Sequence, residues 1–453
     1  MRCDVTEVRL GCSATQSFLD GVTVKTANPP SPRKGGRSLM AKQLRRQANQ
    51  STLDPRDAFP GAITIAGYHQ EARKTDRLKN ARDLSFGFFG EVGGLLSALK
   101  KQKRDQLVLS DPQAVSEELG DALWYLVNLA GACDFLLEDV AAQAWAFLRQ
   151  HFGESSRRPP APLTFRSLEG LCAQHHAQLS RQGSSALQLL AKAAGTIVSD
   201  GVPKRGLSGA PQEQQAILGQ LLAALVLVCA RHRLSLEAIA YANLQKTMDR
   251  WPGQAAAYQL PQNYGEPHEQ FPEELQITFM QRRVGNRVLV FQRLNKVNIG
   301  DPLTDNSHRA DGYRFHDAFH IAYAVHLGWS PVLRALLKLK RKSDSRIDEN
   351  EDGARAVIIE EGIATWIFNH SLRQSPKYYA DVEEGRLDYF LLKQVRSLVA
   401  GFEVEAAPLW QWEKAILDGF RIFRLLLDNK GGTIVADLKK HTMNYIEPEV
   451  VRS

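Results

Sequence analysis

Two stretches of this chain, 99 residues apart, read as copies of one another. Residues 119–141, LGDALWYLVNLAGACDFLLEDVA, align with 218–240, LGQLLAALVLVCARHRLSLEAIA, and eight of 23 positions are identical. The identities are Leu119/Leu218, Gly120/Gly219, Leu123/Leu222, Leu126/Leu225, Val127/Val226, Leu137/Leu236, Glu138/Glu237 and Ala141/Ala240. Two Leu- and Ala-rich helices can match through composition alone. A Gly, a Glu and a turn in one register favour duplication instead, and repeated units bury their apolar faces against each other.

The rest of the pattern agrees with helices. Leu84, Phe88, Val92, Leu95, Leu96 and Leu99 recur at spacings of three and four and mark one apolar face. A polar loop with Ser110-Asp111-Pro112 follows, then a helix over about 113–133 and another from about Leu137. Glu154–Leu163 (ESSRRPPAPL) reads as a Pro-rich linker, and helical pattern resumes through about Trp251. The last part changes character. Residues 276–280 and 287–291 are β-type runs separated by Val284-Gly285-Asn286, which predicts a hairpin. Helices are expected at about 311–327, 331–342, 350–371, 386–400 and 409–428.

The expected fold is mainly α: a tandem, duplicated, pseudo-dimeric helical bundle, then a mostly helical α+β domain with a β-hairpin. The boundaries are a basic tail at 1–50, repeat 1 at 51–153, the linker at 154–163, repeat 2 at 164–256 and the C-terminal domain at 257–453.

Charge looks at first like a signal for nucleic acid. The net charge is +7, but residues 1–50 carry nine Lys/Arg against three acids, so six of the seven charges lie in the tail. That tail lacks apolar periodicity and reads as disordered. Met40 opens an alternative start, MAKQLRRQANQ, in which case the first 39 residues are a product of start-site choice. The nearly neutral body argues against nucleic acid as partner. No run of about 18 apolar residues is evident, so no membrane span is expected, and no secretory signal is seen. The five cysteines form no CxxC pair, which fits a reducing cytoplasm.

Three acids stand out. Glu118 and Asp121 are three residues apart and share a helix face, and Glu91 lies on the preceding helix. Carboxylates converging between packed helices repel one another unless a cation neutralises them, and hard oxygen ligands suit Mg²⁺ or Mn²⁺. Solvated helix charges are the simpler alternative. The words around them, FGFFGEVGGLLSALKK (86–101) and SEELGDALWYLVNLA (116–130), resemble the MazG-like, all-α NTP pyrophosphohydrolase superfamily over roughly residues 65–256. That family pairs an ExxE helix with an ExxD helix around Mg²⁺. Glu118-Leu-Gly-Asp121 matches the second motif and Glu91 the leading acid of the first, whereas Gly94 stands where the second acid is expected. Glu117 points about 100° away from Glu118 on the same helix and is a poor substitute.

The resemblance extends to LSLEAIAYANLQKTMDRWP (234–252), similar to the closing helix of the family. Asn243, Lys246 and Arg250 share a face there; Asn can bond a base or sugar, Lys and Arg a phosphate. Repeat 1 keeps the acids and repeat 2 the Asn/Lys/Arg set, which suggests one composite nucleotide site. The resemblance then implies a nucleoside triphosphate as ligand and hydrolysis to monophosphate and pyrophosphate. Glu91, Glu118 and Asp121 would bind the metal and act in catalysis. Lys100, Lys101, Lys103 and Arg104 either help hold the triphosphate or are a solvated helix end. Pairing of whole chains into a homodimer stays open.

A second cluster lies in the C-terminal domain, in a block (GDPLTDNSHRADGYRFHD) that looks like the extension on some MazG-like proteins. His316 and His320 are four apart, beside Asp317 and near His308, while Glu360 and Glu361 sit in an apolar helical stretch. The set can bind a metal or run acid–base chemistry; equally, the glutamates can satisfy both histidines inside a core. The expected activity is thus a Mg²⁺-dependent nucleotide pyrophosphohydrolase. The alternatives are a catalytically weakened nucleotide sensor, motivated by Gly94, or a bifunctional protein with a second hydrolytic site.

Overall fold

The computed structural model describes residues 63–448 except 79, 106–111, 182–184, 201–210, 254–255, 262–264 and 376. The basic tail, the Met40 start and the first residues of repeat 1 lie outside the described residues. The first helical block comprises α1 (Ile65–Lys74), α2 (Ala81–Asp105), α3 (Pro112–Ala132) and α4 (Leu137–His151). The second comprises α5 (Phe165–Gln174), α6 (His176–Arg181), α7 (Ser185–Asp200), α8 (Pro211–His232) and α9 (Leu236–Arg250). Helices α3 and α8 begin 99 residues apart, and so do α4 and α9.

Local chemistry repeats as well. Thr64 caps α1 by accepting from the Gly67 N–H, and Thr164 caps α5 in a reciprocal box with Ser167. Thr64 and Thr164 also pair with each other as an antiparallel bridge. Helix α3 packs on α9 and α8 packs on α4, so each block's long helix lies against the other block's last helix. Leu119, Leu123, Leu126 and Val127 and their counterparts Leu218, Leu222, Leu225 and Val226 all enter one shared core.

Helix α8 corrects one expectation. By length and composition Gln215–His232 is apolar enough to cross a membrane. Most of it is buried inside the bundle, with Leu221 through Cys229 enclosed, as expected for a central helix apolar on all sides.

The C-terminal domain opens on strands β1 (Glu274–Val284), β2 (Arg287–Leu294) and β3 (Val297–Leu303). Helices α10 (Asp317–Leu327), α11 (Pro331–Leu337), α12 (Ser345–Asn350), α13 (Ala354–Gln374), α14 (Tyr389–Leu398) and α15 (Leu409–Asp428) follow, then β4 (Gly431–Asp437) and β5 (Thr442–Ile446). The expected hairpin is β1–β2, closed at Gly285-Asn286. It belongs to a larger five-stranded antiparallel sheet of order β3-β2-β1-β4-β5. Leu275, Ile277 and Phe279 alternate inward from β1 onto the helices. Strand β4 starts with Gly431 and Gly432 at φ of 138° and 135°. A Cβ at Gly431 would strike the Phe279 carbonyl at 2.5 Å, and one at Gly432 the Tyr445 ring at 2.3 Å, so only glycine passes there. Every residue of α10 is buried, and this helix packs along α15.

The end of α9 ties the helical blocks to this domain. Arg250, itself buried, donates to both carboxylate oxygens of buried Glu413 and to the Leu387 carbonyl. Asp249 accepts from both terminal nitrogens of Arg396 at 2.8 Å each.

Candidate functional site

Helices α2 and α3 meet through two notches. A Cβ at Gly87 would fall 2.2 Å from the Tyr125 ring, and a Cβ at Gly94 would fall 2.2 Å from Glu118 Oε2. Two turns separate the glycines on α2 and two turns separate Tyr125 and Glu118 on α3. The absent acid at 94 is therefore explained locally: the Glu118 carboxylate occupies its space.

Glu118 hydrogen-bonds Glu91 across this contact. Burial, then the charge of Asp121 and the bond from Glu118, push the Glu91 carboxyl up to about 8. Burial also raises Asp121, although the Lys246 ammonium opposes it. Lys246 Nζ, from α9, stands 2.5 Å from Asp121 Oδ2 and 2.8 Å from Glu117 Oε1. Asp121 Oδ1 accepts from Asn243 Nδ2 at 3.2 Å, and Asn243 Oδ1 accepts from the Tyr68 hydroxyl at 2.9 Å. Repeat 1 thus supplies acids and repeat 2 a lysine and an amide at one place.

The C-terminal domain reaches the same place. Lys393 Nζ, from α14, lies 3.0 Å from Glu117 Oε1. Tyr389, one turn earlier on α14, lies with its ring centroid 5.6 Å from both Lys246 Nζ and Lys393 Nζ. Burial pushes the Glu117 carboxyl up, but the two lysines together hold it below its ordinary value. Sequence reasoning set Glu117 aside and missed Tyr68, Tyr389 and Lys393. No sequence pattern links α14 to the acids, which lie some 270 positions earlier.

The remaining candidates scatter. Arg250 is drawn to Glu413 instead of the acids, because an unpaired guanidinium in that buried position would be costly. Asn243 is buried and spent on Tyr68 and Asp121, which corrects its expected role on a base or sugar. Lys100 and Lys101 are exposed at the end of α2, roughly 13–15 Å along the helix axis from Glu91. The Lys103 side chain lies outside the described residues. A cleft of about 320 Å³ borders Tyr389 and is lined by Arg77, Arg250, Trp251 and the 383–387 loop.

The acids suit a hard divalent cation in donor type, although among the described residues no three of their carboxylate oxygens all lie within 4.8 Å of one another. Burial first, and then the neighbouring Asp121 and Glu118, let Glu91 retain a proton well above the usual carboxylate range, with Lys246 opposing them.

The second cluster forms around the start of α10. The Tyr313–Phe315 turn delivers His316, whose Nδ1 donates to the Tyr313 carbonyl at 2.9 Å while the Tyr313 ring stacks on the imidazole at 4.3 Å. His320, one turn on, donates from Nδ1 to Glu360 Oε1 at 2.8 Å. Glu360 is fully buried on α13 and also accepts from Ser330 Oγ and the Val332 N–H. Its lone pairs are used in orienting its neighbours. Asp317 accepts from Gln292 of β2. Among the described residues, His316, Asp317 and His320 are a trio whose ligand atoms all lie within 4.8 Å of one another. His308 is exposed on the preceding loop and is not part of the trio.

Residues 258–449 match the family described as the MazG C-terminal domain. No curated protein and no solved structure matches the chain. The chain therefore carries a MazG-type C-terminal domain behind a helical part that fits a MazG-like fold.

Proposed function

We propose that the protein is a Mg²⁺-dependent nucleoside triphosphate pyrophosphohydrolase, releasing a monophosphate and pyrophosphate. The observation that carries this reading is that Glu91, Glu118 and Asp121 of the first block neighbour one another and Lys246 of the second block pairs directly with Asp121. The MazG-type C-terminal domain supports a MazG-related assignment.

Glu91, Glu118 and Asp121 would hold Mg²⁺, with Mn²⁺ as an alternative of the same hardness. When bound, the ion lowers the pKa of attacking water and offsets phosphate charge. Lys246 exchanges its carboxylate partners for substrate phosphate oxygens, and Lys393 supports the same end of the chain. Asn243 and Tyr68 keep Asp121 oriented. The neighbouring cleft, lined in part by Trp251 and Tyr389, is the place for a base. The phosphates then lie toward the acids.

A second reading, a nucleotide sensor with weak or no turnover, is favoured by one observation: Lys246 already neutralises Asp121. Incubation with each canonical (d)NTP and Mg²⁺, with pyrophosphate as readout, separates the two. Pyrophosphate release that disappears in Asp121→Asn supports the enzyme. Tight nucleotide binding without release by the wild type rejects it.

A further inference from the structure

Four nitrogen and oxygen atoms face one another at the start of α10. His316 and His320 each turn Nδ1 to an outside acceptor, the Tyr313 carbonyl and the Glu360 carboxylate, which leaves both Nε2 atoms facing the cluster. His316 Nε2 is 3.0 Å from Asp317 Oδ1 and 4.0 Å from Glu361 Oε2, and His320 Nε2 is 3.5 Å from the same Glu361 oxygen. His320 is 1% exposed, yet its Nε2 makes no hydrogen bond. Imidazole nitrogens and carboxylates brought this close share a positive charge between them, either a proton or a metal ion.

We infer that His316 Nε2, His320 Nε2, Asp317 and Glu361 form a site for a divalent first-row transition-metal ion, separate from the acidic cluster. The spacing suits it: two ligand atoms about 2.1 Å from one ion lie about 3.0 Å apart at a right angle and about 3.4 Å apart at the tetrahedral angle. Both imidazoles carry the outer bonds that metal-binding histidines use, one to a backbone carbonyl and one to a buried carboxylate. Gln292 likewise fixes Asp317. Two imidazoles beside two carboxylates favour Zn²⁺, Fe²⁺ or Mn²⁺ over Mg²⁺, which prefers oxygen alone. The Glu361 side chain is 41% exposed, so the site opens to solvent on that side.

Full-length protein stripped with a chelator is titrated with Zn²⁺ and, in a separate run, with Co²⁺, in excess Mg²⁺ to saturate the acidic cluster. One equivalent of Zn²⁺ retained after gel filtration is expected, with visible ligand-field absorption from bound Co²⁺. His316→Asn and Glu361→Gln each weaken retention by at least about tenfold, while Glu118→Gln leaves it unchanged. Glu361 is half-exposed, so its variant tests the site even if His316→Asn does not fold. Absence of stoichiometric metal in the wild type overturns the site in favour of a shared proton. Unchanged affinity in Glu361→Gln overturns the ligand set.

Discussion

The two polar clusters differ in how their charges are held. In the acidic cluster three carboxylates and Glu117 are half-buried, and their counter-charges arrive from distant elements, Lys246 on α9 and Lys393 on α14. In the histidine cluster the bonds that orient the imidazoles and Asp317 come from within the C-terminal domain. The first site exists only when three parts of the chain are assembled. The second is built by one domain on its own core. The contrast teaches that pre-organisation and adjustability are distributed between them: long lysines can leave their partners, whereas a buried imidazole tied to Glu360 cannot turn.

Substitutions can break or sharpen that contrast. The largest effect is expected from Asp121→Asn and Glu118→Gln, which lower pyrophosphate release by at least about a hundredfold with Zn²⁺ retention at the histidine cluster unchanged; equal losses in both readouts would erase the distinction. Next is Arg250→Met, which leaves Glu413 buried and unpaired and costs about 3–5 kcal/mol in denaturant unfolding. It loosens the junction that carries Lys246, so residual activity falls while metal retention by the C-terminal domain persists.

Glycine substitutions give a finer scale. Gly219→Ala meets Ala144 backbone nitrogen at 3.0 Å and Gln143 Cβ at 2.5 Å, a rigid contact between α8 and α4, and destabilises by about 1–3 kcal/mol. Gly94→Ala meets only the far end of the Glu118 side chain. Thermal unfolding should barely register it, by under about 1 kcal/mol, whereas turnover drops because Glu118 must swing away. The smallest effect is Lys393→Ala, an exposed pair worth roughly 0–1 kcal/mol whose removal shows as a raised KM at low salt.

The acidic cluster also sets a pH signature. The Glu91 carboxyl is raised to about 8 from its ordinary value near 4.5, so the folded chain binds more protons than the unfolded one between those limits. Its contribution is full below pH 4.5 and is lost as pH rises through about 8. Chelator-treated protein should lose stability across that window, and Glu91→Gln should flatten the slope. A slope that survives the substitution assigns it to other groups.

Much of this was legible in the sequence, for identifiable reasons. The 3.6-residue period located α2 and α15 because each keeps a more exposed face opposite its buried one, whereas α3 is enclosed on nearly all sides from Ala122 to Ala130; on α2, Leu84, Phe88, Val92 and Leu95 are all enclosed, while Leu96, counted with them, is 37% exposed. The pairing of His316 with His320 followed from helical spacing. Strands β3, β4 and β5 were missed: β3 contains Gly300, Asp301 and Pro302, β4 begins with two glycines, and β5 has only five residues. Glu360 and Glu361 looked equivalent. Their neighbour packing separates them, since one faces Ser330 and the core and the other the rim. Long-range partners such as Lys393 leave no periodic mark at all.

The notch at Gly94 limits what a single substitution can add. An acid placed at 94 would enter the space that the Glu118 carboxylate now fills. A fourth carboxylate beside the other three thus needs a new position for Glu118 as well, so redesign of this site is a two-residue problem.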